Sequence, residues 1–228
     1  IPEQVMAFPF VHYAITINGA KVSDTRTGQA VLRAEIALDT CLRLLDFVGR
    51  YDAMYDCYWN DTGWVDQSFL ERGRYYNSDE EVGTLLRTTR APVDDLKAFL
   101  RENGQPVQKV QLCFRDMAER ETARAEIAAA FPDILVTSSF RNNLELNAAD
   151  ADKGRALLAL AQHLGIPAAD TIAFGDSSND LRMLRAAGTS VAMGNAAPEV
   201  RAVCGCVTDT NDHDGVAAFL YAHVLHGK

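Results

Sequence analysis

The sequence predicts an α/β fold whose core is a parallel sheet, and three observations carry that reading. Short apolar runs bounded by turn formers, the run at 171–174 above all, have the length and composition of strands buried on both faces. Stretches with helical spacing flank them: Ala156, Leu157, Leu160, Ala161 and Leu164 line one helix face, and residues 181–187 read as the next helix. The chain's 228 residues, 48% of them hydrophobic, can bury a core domain and a smaller inserted one.

The elements follow in order. A core strand is expected at 13–17, ended by the Asn18-Gly19 turn and followed by a hairpin around 24–29. From Ala37 the pattern changes, and Leu38, Leu42, Leu45 and Phe47 suit an amphipathic helix. Residues 51–59 and 63–67 suit strands joined across Asn60-Asp61-Thr62-Gly63, and 93–101 suits a helix. A strand at 107–114, a helix at 118–130 and strands at 134–139 and 144–146 come next. Residues 150–155 open the helix whose face is given above. Asn211 to Val216 read as a turn and cap before a last helix.

Residues 172–180, Ile-Ala-Phe-Gly-Asp-Ser-Ser-Asn-Asp, concentrate the chemistry. Asp176 falls at the carboxyl end of a strand, the edge where open α/β sheets collect ligands. A carboxylate there suits Mg²⁺, which takes one or two protein carboxylates and fills its other positions with water and phosphate oxygens. Ser177, Ser178, Asn179 and Asp180 also have helix-cap chemistry, so the stretch alone leaves a metal corner and a plain cap both open. Upstream, Lys153 falls in the first turn of its helix, where a cation opposes the helix dipole. A phosphate would compensate it, because free backbone N–H groups and a compact charge meet there; the alternative is a solvated lysine beside Asp150 and Asp152.

Taken together, these segments resemble the Cof-type branch of the haloacid dehalogenase (HAD) superfamily of phosphatases. The resemblance rests on Lys153-Gly154, Gly175-Asp176-Ser177-Ser178-Asn179-Asp180, and Val191-Ala192-Met193-Gly194-Asn195-Ala196 with Val200 after it. It extends to Asn18-Gly19-Ala20, to Asn143-Leu144-Glu145-Leu146 and to Asn211–Val216, nearly the whole chain in the family's order. It implies a Rossmann-like HAD core of residues 1–34 and 148–228, with an α/β cap domain at 35–147 inserted after the third core strand.

The resemblance further implies Mg²⁺-dependent hydrolysis of small phosphomonoesters, such as sugar phosphates, through an aspartyl-phosphate. Lys153 would stabilise the phosphoryl oxygens, Asp176 would hold the metal, and Asn179, Asn18 and Gly19 would bind substrate. Asp180 would support the site by orienting Lys153 or the metal's waters. Two rivals keep the same residues: a non-catalytic pseudo-phosphatase that binds phosphorylated metabolites, and a phosphomutase of the same fold.

One departure stands out. The family's Asp-x-Asp-Gly-Thr nucleophile motif and its Ser/Thr motif are not visible, and the resemblance places them in an N-terminal strand, helix and strand expected before Ile1, a segment on the order of 40 residues. Residues 1–228 alone are therefore expected to be inactive. Asp212-His213-Asp214-Gly215-Val216 has the motif's spelling, but Thr208, Asp209, Thr210 and Asn211 precede it where a buried apolar strand should stand. Asp150-Ala151-Asp152 fails for the same reason, since it leads into a helix.

A net charge of −9 without Lys/Arg runs excludes a nucleic-acid binder. No apolar run approaches about 20 residues and no signal peptide is visible, so a cytoplasmic protein without a membrane partner is expected, a monomer or homodimer acting on a small phosphorylated metabolite. Cys41, Cys57, Cys113, Cys204 and Cys206 are odd in number and scattered, which speaks for free thiols; Cys204 and Cys206 read as two small buried residues beside a strand. Trp59, Trp64, Tyr55, Tyr58, Phe69 and Tyr75 crowd one stretch, as a ligand clamp or as packing for a small sheet. Arg72, Arg74, Arg87 and Arg90 lie in or near it as candidates to meet a second anionic group.

Overall fold

A computed structural model of the protein describes residues 1, 3–76 and 80–225. The chain forms two units, Ile1–Arg33 with Asp152–Lys228, and Ala34–Ala151 between them in sequence.

The first unit opens with β1 (Tyr13–Thr16), β2 (Lys21–Asp24) and β3 (Ala30–Arg33), an antiparallel three-stranded sheet in that order. The run at 13–17, expected to end as a core strand at Ile17, instead turns back on itself. Ile17, Asn18 and Gly19 have φ of 52°, 57° and 93°, so the chain reverses within one 3₁₀ turn and Tyr13 comes opposite Asp24.

The second unit contains β4 (Ala53–Trp59), β5 (Thr62–Asp66), β6 (Arg90–Val93), β7 (Lys109–Phe114), β8 (Ile134–Thr137) and β9 (Asn143–Ala148) in a six-stranded sheet ordered β6-β5-β4-β7-β9-β8. All neighbours run antiparallel except β5 and β6. Asn60 and Asp61, at φ of 50° and 63°, make the tight turn between β4 and β5 that the sequence calls for. Side chains alternate across a sheet, and here the two faces differ sharply. Cys57, Val110, Leu112, Phe114, Leu144 and Leu146 face one core with Leu44 and Leu45 of the helix Leu38–Val48, Leu100 of Leu96–Asn103 and Ile127 of Met117–Ala130. The alternate positions hold a buried polar group, Asp56, Lys109, Gln111, Glu145 and Asn147, next to the buried Met54 and Cys113.

Two stretches depart from expectation. The helix expected at 93–101 begins at Leu96, capped by the Asp95 carboxylate on Ala98 N, while Val93 closes β6. Pro92 is accommodated because β6 is an edge strand. The helices Gln67–Glu71, Gly73–Tyr76 and Glu80–Thr89 occupy a stretch to which the sequence reading assigned no element.

The chain re-enters the first unit through the helix Lys153–His163 and then forms β10 (Ile172–Gly175), β11 (Thr189–Ala192) and β12 (Cys206–Val207), a parallel sheet. Ala173, Leu184, Ala192, Met193 and Val200 form its core. All five cysteines are free; Cys204 and Cys206 are half exposed rather than buried, because β12 is the sheet's edge. Among the described residues, no helix is long and apolar enough to cross a membrane.

Candidate active site

The register Gly175↔Ala192 brings the carboxyl ends of β10 and β11 level. The residues that follow each strand, Asp176 and Asn195, therefore meet at the sheet's carboxyl edge. Asn195 Nδ2 donates to Asp176 Oδ2 at 3.1 Å, and Ser177 Oγ donates to Asp176 Oδ1 at 3.1 Å. Asn195 is itself fixed, its Oδ1 accepting from Asn211 N at 3.1 Å.

Asp180 is the hub. Its Oδ1 accepts from Lys153 Nζ at 2.6 Å, and its Oδ2 accepts the backbone N–H groups of Asp176 (3.1 Å) and Ser177 (3.2 Å). The carboxylate thus both closes the turn after β10 and aims the lysine. Glycine at 175 makes this possible, because a Cβ there would lie 2.6 Å from the Asp180 Cβ.

The helix carrying Lys153 is set by the Asp152 cap, whose Oδ1 accepts from Arg155 N at 2.8 Å while Oδ2 faces Arg182 Nη1 at 3.4 Å. The turn Ile17–Gly19 packs against this helix start: a Cβ on Gly19 would run into the Asp152 carbonyl, and φ of +93° also requires glycine. Across the turn, Asn179 Nδ2 reaches Asn18 Oδ1 at 3.4 Å.

Thus Lys153, Asp180, Asp176, Asn179, Asn18 and Gly19 are linked by side-chain bonds or by close backbone approach. The cap and the metal readings of residues 177–180 prove compatible, since Asp180 satisfies backbone N–H groups and Asp176 stays half exposed. Sequence reasoning gave no role to Asn195 or Ser177, although Asn195 stands in the Gly194-Asn195-Ala196 segment that carried the resemblance.

The donor set suits a hard cation. Asp176 offers the carboxylate oxygens that Mg²⁺ takes alongside waters, and among the described residues no group of three or more His, Cys, Asp or Glu side chains is gathered as metal ligands. Asp176 is the half-exposed carboxylate at the strand end that could take that place.

Comparison with known proteins identifies the family. Residues 3–220 match the family model described as haloacid dehalogenase-like hydrolase. The chain is 45% identical to phosphatase YwpJ of Bacillus subtilis (strain 168) over 93% of its own length and 79% of that protein's. It is 39% identical to 5-amino-6-(5-phospho-D-ribitylamino)uracil phosphatase YwtE of the same organism over 52% of its length and 41% of the relative's. Its fold superimposes on a haloacid dehalogenase-like hydrolase of B. subtilis with a TM-score of 0.78 at 26% identity, covering 93% of this chain and 79% of that one. Both the order of the site-bearing segments and these matches lead to one assignment: the chain belongs to the haloacid dehalogenase-like hydrolases.

Proposed function

We propose that the protein is a Cof-type phosphatase that hydrolyses small phosphomonoesters, sugar phosphates among them, at the Lys153–Asp180–Asp176 corner. The observation that carries this reading is the 2.6 Å Lys153–Asp180 pair at the carboxyl edge of a parallel sheet, one turn from a half-exposed Asp176. A buried carboxylate that aims a lysine beside backbone N–H groups serves phosphate recognition better than it serves stability.

In this reading an aspartate oxygen, expected upstream of Ile1, attacks phosphorus and the ester P–O bond breaks, releasing the alcohol. Water then attacks phosphorus, freeing inorganic phosphate and restoring the carboxylate. Asp176 would hold Mg²⁺, whose charge would offset that shared by the phosphoryl oxygens and the carboxylates. Lys153 donates to the phosphoryl oxygens as charge moves onto them, and Asp180 keeps its ammonium in place. Asn179, steadied by Asn18, offers a neutral donor, and Asn195 orients the Asp176 carboxylate. The second unit, Ala34–Ala151, serves as the cap expected at 35–147 and selects the ester.

The test is a panel of small phosphomonoesters incubated with the full-length protein, in Mg²⁺ and in EDTA. Phosphate release that EDTA abolishes is expected. Binding without release would favour a pseudo-phosphatase, and isomerised sugar phosphate in place of free phosphate would favour a phosphomutase.

A further inference from the structure

We propose that one end of the second unit's sheet carries an anion site of its own, built by Arg72 and Arg115 over Tyr75 with Arg141 on the segment beside Arg115, and suited to a phosphate group. It goes beyond the hydrolytic reading and does not depend on it.

The register brings these residues together. Ala53 of β4 pairs with Phe114 of β7, and Phe114 N donates to Asn142 O at 2.9 Å. Asp52, Arg115 and Arg141 therefore come next on three neighbouring chain segments, placing two guanidinium-bearing residues side by side. A third arrives from the helical stretch: Arg72 lies 5.4 Å from the Tyr75 ring centroid and 5.3 Å from that of Tyr76, while Arg115 lies 4.6 Å from Tyr75. Asn142 Nδ2 ties the group to the helices through Tyr76 O at 3.2 Å.

The one carboxylate that register places beside them is already committed. Tyr75 OH donates to Asp52 Oδ2 at 2.7 Å and Tyr76 OH to Oδ1 at 3.1 Å. Among the described residues, Arg72, Arg115 and Arg141 enter no ion pair, although Arg50, only two residues before Asp52, pairs with Glu126 at 2.5 Å. The three arginines face two carboxylates, Asp52 on the tyrosine hydroxyls and Glu119, whose Oε1 accepts from Asp52 N at 3.1 Å, which leaves a local excess of positive charge in a chain of net charge −9. Stacking supplies the geometry: a guanidinium lying over a ring keeps its in-plane N–H fork free, and such forks match phosphate oxygens bidentately. Arg115, Arg72 and Tyr75 are all exposed, so the forks are open to a ligand.

The site is remote from the points where the chain enters and leaves this unit. Ile36 bridges to Val107, just before β7, and β9 ends at Ala148 near the exit, whereas Arg115 follows the far end of the six-residue β7, about 20 Å along the strand. A phosphorylated metabolite held here would be bound through a different set of residues from Lys153 and Asn179.

The experiment is calorimetric titration of inorganic phosphate at low ionic strength into the whole protein, as wild type, as Lys153→Ala and as the triple variant Arg72→Gln, Arg115→Gln, Arg141→Gln. Lys153→Ala is expected to retain a phosphate-binding event, and the triple variant to weaken that event at least tenfold. Wild-type affinity in the triple variant, or loss of all binding in Lys153→Ala, would overturn the proposal. Arg141→Gln alone, in an exposed turn, serves should the triple variant not fold, and a severalfold loss of affinity is expected of it. Melting adds a second readout: phosphate should raise the Tm of Lys153→Ala and leave that of Lys153→Ala combined with the triple variant unmoved. Equal shifts in both would again contradict the site.

Discussion

Removing the Asp180 carboxylate should unravel the corner from which Lys153 acts. Its side chain is 8% exposed and makes three bonds, to Lys153 Nζ at 2.6 Å and to the N–H groups of Asp176 and Ser177 at 3.1 and 3.2 Å. Asp180→Ala strands all three donors. Lys153, at 27% exposure, can recover part of its hydration, so its loss is discounted to about 1 kcal/mol. The two part-buried N–H groups lose a charged acceptor, about 1–2 kcal/mol each if no water replaces it. The sum is about 3–5 kcal/mol, with Asp180→Asn intermediate because its amide oxygen still accepts. Urea unfolding read by far-UV circular dichroism measures it; tryptophan fluorescence does not suffice, since Trp59 and Trp64 both lie in the second unit. A change below about 1 kcal/mol would refute the idea that Asp180 organises this turn.

Two further predictions concern the second unit. Arg90 and Asp56 form a buried pair at 2.9 Å, 5% and 0% exposed, with Asp56 Oδ1 lacking any partner; Arg90→Met should cost about 3–5 kcal/mol at pH 8. Burial raises the Asp56 pKa above its ordinary value even against Arg90, so the native state holds a proton the unfolded state sheds. Stability then falls as pH rises through that window, and the Arg90→Met penalty should be smaller at pH 5 than at pH 8 in chemical denaturation; a larger penalty at pH 5 would contradict the assignment. Burial also pushes the Cys113 thiol from 9.0 up to about 12. The unfolded chain loses that proton first, so stability drops from about pH 9 upward at roughly 1.4 kcal/mol per pH unit. By pH 11 the wild type should have lost about 2–3 kcal/mol more than Cys113→Ala relative to pH 8, and parallel losses in the two proteins would rule this out.

Much of the fold was legible because apolar periodicity and cap chemistry are local signals. The strand before Asp176, the turn at Asn60-Asp61 and the helix opened by Asp152 and Lys153 all lie where those signals stand. What escaped depends on pairing partners. Residues 13–16 carry the same apolar run whether they pair in parallel or fold back on β2, and the left-handed φ of Ile17 that decides it leaves no mark in a β-branched residue. β6 was hidden by Pro92, tolerable only because β5 leaves its far side an edge. At the site, Asp176 and Lys153 were readable from residue type and position. The role of Asp180 in orienting Lys153 came with the family resemblance, whereas the Asn195 contact was not readable, since it joins residues 19 positions apart through tertiary geometry.

The most direct measurement is steady-state phosphate release in Mg²⁺ by the full-length protein, alongside Asp176→Asn and Lys153→Ala. Losing a group that stabilises transferring charge typically costs a hundredfold or more, so kcat/KM should fall at least about 100-fold in each variant, with far-UV circular dichroism showing both folded. Wild-type turnover in either one would contradict the placement of the phosphoryl site at this corner.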